Sequence, residues 1–190
     1  LRDSHAKLAN NLSGSATSNG AVVVNAGATL GGSGFITGAV TCLDGTLSPG
    51  NSPGTLTLGS TTFTAGSQLL FDLDTPNVIG GGINDLTEVN GNLLLAGTLV
   101  INPLAGFGAG TYRLFDYTGS LTSQGLSITG ISGDFFAVLD SSVPGQVNLN
   151  VAAVPEPSTV VLLGLGAVGV VLGTRRRRAA AKLATGKIAA

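Results

Sequence analysis

The chain is poor in charge. Asp, Glu, Lys and Arg together make up 10% of its 190 residues, against roughly 25% in ordinary soluble domains. It has one histidine, His5, one cysteine, Cys42, no methionine, no tryptophan and only 5% aromatics. A single cysteine excludes an internal disulfide. A nucleophile needs a base that a third group orients, and a lone histidine far from a lone cysteine does not supply that pattern. His5 is therefore expected at the surface, and Cys42 as a small buried hydrophobe. Basic residues are nearly missing from the body: between Leu8 and Ala153 there is Arg113 alone, against Asp44, Asp72, Asp74, Asp85, Glu88, Asp116, Asp134 and Asp140. Such an acidic body repels phosphate backbones, so no nucleic acid partner is expected. It also lacks the cationic groups that a lyase would set against uronic acids. No cofactor and no enzymatic activity are expected. No apolar h-region follows Leu1, so no signal peptide is visible, and the N-terminus is expected to be a cut or fragment edge.

Low charge does not make the chain disordered, because 43% of it is apolar. Thirty glycines punctuate short alternating segments, as in strands joined by tight turns. Val22 and Val24 alternate with other residues. So do Ile36, Val40 and Cys42, then Leu56 and Leu58, then Leu69, Phe71 and Leu73. A period of two places each set on one face of a strand. Gly27-Ala28-Thr29-Leu30, Gly45-Thr46-Leu47, Gly54-Thr55-Leu56 and Gly97-Thr98-Leu99 repeat one idea. Each unit is too short to bury its own apolar face, whereas stacked neighbours bury a continuous core. Further strands are expected over Thr87 to Ile101, broken near Ala96-Gly97, and over Thr111 to Tyr117. Phe135 to Leu139 and Gln146 to Val151 read as a closing pair around Pro144-Gly145. No segment before Ala153 carries a helical stripe. The expected fold is all-β: a parallel β-helix (solenoid) body with a single C-terminal transmembrane helix. A small sandwich is the alternative for residues 60–151. Residues 1–19 read as a polar lead-in or the end of a missing repeat, and residues 20–151 as the body.

Among the acids, Asp72 and Asp74 share a strand face, opposite Leu69, Phe71 and Leu73, about 6–7 Å apart along the strand. They are read as a solvated face, with a glycosidase-like carboxylate pair as the catalytic alternative. Asp85, just before Leu86, is read as a turn residue whose side chain accepts backbone N–H groups. No metal site is expected; were one present, Asp72, Asp74, Asp85 and Glu88 would be its Ca²⁺ ligands.

The C-terminal region is built differently. Val154-Pro155-Glu156-Pro157-Ser158 is followed by an apolar run from Thr159 to Gly173, and then by Arg175, Arg176, Arg177 and Arg178. Ser158 to Thr174 carries no charge and as a helix would reach about 25 Å, near the short limit for a bilayer core. The arginines resist export and set that end on the cytoplasmic side. The expected divisions are a linker and motif over 152–158, a transmembrane helix over 159–174 and a basic tail over 175–190. Two prolines hold the segment at the membrane exit extended and strip its N–H donors.

Two resemblances follow from these residues. The order Pro155-Glu156-Pro157, apolar run, arginine cluster resembles the bacterial PEP-CTERM sorting signal. That resemblance implies recognition by an exosortase-type membrane processing enzyme at Val154 to Ser158. Gly31-Gly32-Ser33-Gly34 with Ile36-Thr37-Gly38, then Leu47-Ser48-Pro49-Gly50-Asn51-Ser52-Pro53-Gly54-Thr55-Leu56, is similar to the passenger-associated repeat of autotransporter-type surface proteins. Asp85-Leu86, Val89-Asn90-Gly91, Leu95-x-Gly97-Thr98-Leu99 and Gly110-Thr111-Tyr112-x-Leu114-Phe115 extend the likeness over roughly Gly20 to Val151. It implies a right-handed parallel β-helix and an exported passenger. The expected function is a structural or display protein of the bacterial cell surface or extracellular matrix. It would be anchored to inner-membrane lipid during export, with its body periplasmic or extracellular. A polysaccharide-binding or adhesin module is the alternative, and a β-helical lyase fragment a further one.

Overall fold

The structure is a computed structural model that describes residues 9–155. The chain divides after Ala153 into a body and a C-terminal unit. The body is all-β, and among the described residues there is no helix. Its strands are β1 (Val22–Asn25), β2 (Thr29–Gly32), β3 (Phe35–Ile36), β4 (Val40–Leu43), β5 (Thr46–Pro49), β6 (Thr55–Leu58) and β7 (Thr61–Phe63). They continue as β8 (Gln68–Leu73), β9 (Leu86–Val89), β10 (Leu93–Pro103), β11 (Gly110–Tyr117), β12 (Leu121–Thr129), β13 (Phe135–Asp140) and β14 (Gln146–Ala153).

Through β12, consecutive strands do not pair as hairpins. The chain passes through three strands and then returns beside its own earlier turn. β4 pairs with β1, β5 with β2 and β6 with β3, all parallel. β7, β8 and β9 then add in parallel to β4, β5 and β6. The long β10 serves two stacks: Leu93 and Leu94 pair with Thr61 and Thr62 of β7, while Thr98 to Pro103 pair with Gln68 to Leu73 of β8. β11 continues the third stack on β9, and β12 lies on β10. Parallel neighbours require such long returns, and the result is a β-helix-like stack through β12. Only the end departs from it. β14 runs back antiparallel between β11 and β13, so the expected closing pair is present but as a cap on the coil.

The register explains the alternation in the sequence. Leu30, Leu47, Leu69 and Leu99 are successive partners across β2, β5, β8 and β10, and all four are buried. Val24, Cys42 and Phe63 form a second ladder, and Ile36, Leu58 and Val89 a third. Phe115 fills the centre, its ring 6.1 Å from Phe63 and 5.4 Å from Phe71. Every residue expected inside, from Ile36 to Leu73, lies in this core.

Two strand expectations need correction. The break in the Thr87 to Ile101 region falls at Asn90 to Asn92, between β9 and β10, not at Ala96-Gly97. Gly97 instead takes a left-handed φ of 104°, where the β10–β12 register shifts between Leu95 and Gly97. A Cβ there would sit 2.3 Å from the Ser67 carbonyl oxygen. The extra residue of that shift belongs to β12, and Gly97 lets β10 pass close to Ser67 without ending the strand. β12 had no counterpart among the expected strands; its nine residues are mostly exposed and polar, so they carry little apolar alternation. Residues 9–19 run along the first turn. Ala9 N donates to Gly31 O at 3.1 Å, Asn10 Oδ1 accepts Ser33 N at 3.0 Å, Asn11 Oδ1 accepts Phe35 N at 3.0 Å, and Ser15 Oγ accepts Thr37 N at 3.0 Å. Side-chain oxygens there stand in for the carbonyls of a preceding strand.

One inward position is polar without a partner. Thr87 lies in the ladder between Leu56 and Phe115; it is fully buried, and its Oγ1 has no hydrogen bond. Leaving a buried hydroxyl unpaired costs roughly 1–3 kcal/mol. Thr87→Val keeps the β-branched shape and removes that group, so it is expected to stabilise the body by about 1 kcal/mol. Urea unfolding of the two proteins side by side measures this, and a lower midpoint for the valine variant would refute it.

Candidate functional site

The acids singled out from the sequence fall into three separate arrangements on the body. Asp85 is the most constrained. It follows a turn in which Gly80, Gly81 and Gly82 all take positive φ, a run that side-chain-bearing residues adopt only with strain. The residue is only 1% exposed. Its Oδ1 accepts Gly54 N at 2.7 Å and its Oδ2 accepts Asp72 N at 2.8 Å. One side chain thus pins the Ser48–Gly54 turn to β8, as the acceptor reading expects. Burial pushes the Asp85 carboxyl up to about 7; the two N–H groups, from Asp72 and Gly54, pull the other way, and the Asp72 charge adds to the rise.

Asp72 is not a solvated face residue. The Ser48–Gly54 turn folds over it, Ser52 Oγ donates to its Oδ2, and Asn102 Nδ2 donates to its Oδ1 at 2.7 Å. Strand alternation gives its direction but cannot show that a turn twenty residues earlier covers it. Asp74, two residues on, has other partners: Gly106 N donates to its Oδ1 at 2.7 Å and Thr75 Oγ1 to its Oδ2 at 2.9 Å. Glu88 accepts Thr57 Oγ1 at 3.0 Å. Among the described residues no three His, Cys, Asp or Glu side chains group as a metal site.

Asn84 escaped the sequence reading. It is fully buried; its Oδ1 accepts Asp74 N, and its Nδ2 donates to Thr75 O and Val78 O, all at 2.7 Å. The signal was its place between a glycine run and Asp85. Cys42 is buried, as expected, and burial pushes its thiol up to about 11, so it stays protonated at neutral pH. The aromatics are mostly core. Tyr112 is buried, stacks on Phe107 at 5.2 Å, and accepts Gly108 N at 2.9 Å. An open groove of about 410 Å³ runs between β2, β5 and the Ser48–Gly54 turn. Thr29, Gly31, Gly32, Ser48, Gly50, Asn51 and Ser52 line it, with neither a charged nor an aromatic side chain.

The other functional candidate is the chain's exit. β14 ends at Ala153, and Val154 and Pro155 follow it exposed and outside any strand. Glu156, Pro157, Ser158, the apolar run to Gly173, and Arg175, Arg176, Arg177 and Arg178 lie outside the described residues, as does His5. No helix among the described residues is long and apolar enough to cross a membrane.

A family model described as the PEP-CTERM protein-sorting motif matches residues 153–178. The chain carries this sorting motif. The match begins at the last residue of β14 and ends on Arg178, so it takes in the prolines, the apolar run and the whole arginine cluster. The chain is also 49% identical over 114 residues to the adhesin BmaC autotransporter of Brucella suis biovar 1 (strain 1330). That alignment covers 58% of this chain and 3% of the adhesin, so the chain spans a small part of the relative's length. No solved structure matches.

Proposed function

We propose that the protein is exported and that its β-helix-like body is displayed at the bacterial cell surface or in the extracellular matrix. The carrying observation is the sorting motif over residues 153–178. It begins where the last strand of the body ends. The similarity to an autotransporter adhesin supports the same reading for the body. In this reading residues 159–174 form a helix in inner-membrane lipid, Arg175 to Arg178 hold its end on the cytoplasmic side, and the acidic body lies outside. An exosortase-type enzyme then acts on Pro155-Glu156-Pro157. Val154 and Pro155, exposed beyond β14, are accessible to such a pocket.

The body's role is display, not catalysis. Both Asp85 oxygens are occupied by backbone N–H groups, Asp72 is held by Ser52 and Asn102, and the Cys42 thiol is buried. Each group is used in holding the fold. Polysaccharide binding is a second reading, favoured by the neutral groove of hydroxyl and amide groups beside β2 and β5. Signal on a glycan array that Asn51→Trp abolishes would move the assignment to it.

The sorting reading predicts a mature product that ends between Pro155 and Ser158. Changing Pro155-Glu156-Pro157 to three alanines leaves the apolar run intact, so the chain should still insert and should accumulate as an unprocessed membrane precursor. C-terminal peptide mass spectrometry of envelope and extracellular fractions decides. An extracellular form that retains Arg175 to Arg178 would make the tail a permanent anchor.

A further inference from the structure

The two ends of the stack are finished differently. At the N-terminal end Asn10, Asn11 and Ser15 place side-chain acceptors on the N–H groups of Ser33, Phe35 and Thr37. At the other end the last strands are β12 in one sheet and β13 in the other. Among the described residues β12 pairs only with β10, and β13 only with β14. Their outer backbone edges are open. The core is open there too. Leu93 and Leu99 of β10 are fully buried, yet their partners in the next layer, Leu121 and Ile128, are only half-covered. Leu126, Ile131, Phe135 and Leu139 are likewise half-covered against the core. Phe136 and Val138 stand 53% and 57% exposed on β13.

Natural edge strands are blunted by charge, proline or bulges, and solenoids end on polar caps. β12 carries a bulge near Gly125, where Ser123 and Leu126 face Leu95 and Gly97, whereas β13 pairs without a register shift and opens with five apolar residues before Asp140. From Phe135 to Leu139 the β13 edge has no charge, proline or bulge to repel a second identical edge. Little of the chain's own remainder can reach these edges. In the reading proposed above, five residues, Val154 to Ser158, separate β14 from the membrane span or from the new C-terminus, and they reach about 17 Å at most. That is too little to add a strand along both edges.

We infer that the open edge of β13, which stands one layer beyond β12, is a self-association surface, where a second copy of this chain docks end to end and continues that sheet by antiparallel edge pairing. A twofold axis presents the same edges from both copies, so the contact is closed and gives a dimer. The inference rests on the proposed placement of the tail, but it is read by association and not by processing.

The test uses the full chain in detergent micelles, which hold the apolar run, with its mass measured by analytical ultracentrifugation over a concentration series. A dimer is expected. Phe136→Lys combined with Val138→Lys, at two exposed positions, should weaken association at least tenfold while leaving the thermal midpoint within a few degrees. Val138→Cys gives an independent arm, because Cys42 is buried: a short bis-maleimide should link two copies through residue 138, whereas Gln68→Cys on the side of the coil should give no linked dimer. A wild-type chain that stays monomeric at 200 µM overturns the inference, and so does one that associates only with lipid vesicles. A dimer that keeps its affinity with both lysines, or that fails to link through residue 138, is held elsewhere and also overturns it. The C-terminal mass of the native product reports separately on sorting.

Discussion

Replacing Asp85 with alanine is expected to destabilise the body by about 2–6 kcal/mol, because two buried N–H donors lose their acceptor and each unpaired buried group costs roughly 1–3 kcal/mol. The donors, Gly54 N and Asp72 N, lie in the Ser48–Gly54 turn and in β8. The turn should therefore lift from β8 and expose Asp72, which hydrogen exchange at Gly54 and Asp72 would report. The same carboxyl gives the wild-type protein a pH signature of definite sign. In the unfolded chain it titrates at its ordinary value of 3.8, but in the fold burial holds it up to about 7. Between those values the folded state keeps a proton that the unfolded state has released. Its contribution to stability is thus fully present below about pH 4, falls as pH rises, and is lost above about pH 7. Asp140 acts in the opposite sense and at lower pH, since the Ser142 N–H holds its carboxyl below the ordinary value. Urea unfolding at pH 4.5, 6 and 7.5 should show a decline in wild type that Asp85→Ala flattens. A wild-type protein that gains stability across that window would contradict the assignment.

Asp85 also marks how much the sequence discloses. Its role as a backbone acceptor was legible because Asp after a glycine run and before an apolar strand is a turn signal that acts locally. The partners were not legible: Gly54 is a different turn of the coil, and only stacking brings it near. The same divide runs through the fold. Alternation marked Ile36, Val40, Cys42, Leu56, Leu58, Leu69, Phe71 and Leu73 as inward, and every one is buried, because period two is a property of a single strand. Covering is a property of neighbours. Hence Asp72 looked solvated yet lies under Ser52, and Gly97 looked like a strand break yet is a close approach to Ser67 within β10. β12 was illegible for the related reason that it is a terminal layer, so half of its inward face has nothing to match. For the sorting motif, type and order carry the signal: prolines, uncharged run and arginines are read along the chain, and no folded partner is needed to recognise them.

Leu69→Ala should unfold the coil from its middle. Leu69 is fully buried, with Leu47 beside it in one layer and Leu99 in the next. Removing its side-chain methyls leaves a cavity walled by two rigid strands that cannot close in, and truncations of this kind cost about 2–5 kcal/mol. A solenoid's stability is close to a sum of terms between neighbouring layers, so a loss at Leu69 weakens the interface on both sides of β8. The same truncation at Ile128, half-covered in the last layer, weakens one interface and starts from less burial, so a cost nearer 1–2 kcal/mol is expected. Gln68→Ala, one residue from Leu69 but exposed on the outer face, should change stability by less than about 0.5 kcal/mol. The ordering Leu69, Ile128, Gln68 tests the layered architecture itself. A core shared by the whole body would make Leu69 and Ile128 equivalent, whereas stacked layers make the centre dearer than the end. Hydrogen exchange adds a second readout. In Leu69→Ala, amides of β5, β8 and the Thr98–Pro103 half of β10 should lose protection together, while those of β13 and β14 keep theirs. Uniform loss across all strands, or a cost at Leu69 below 1 kcal/mol, would count against a stack of separable coils.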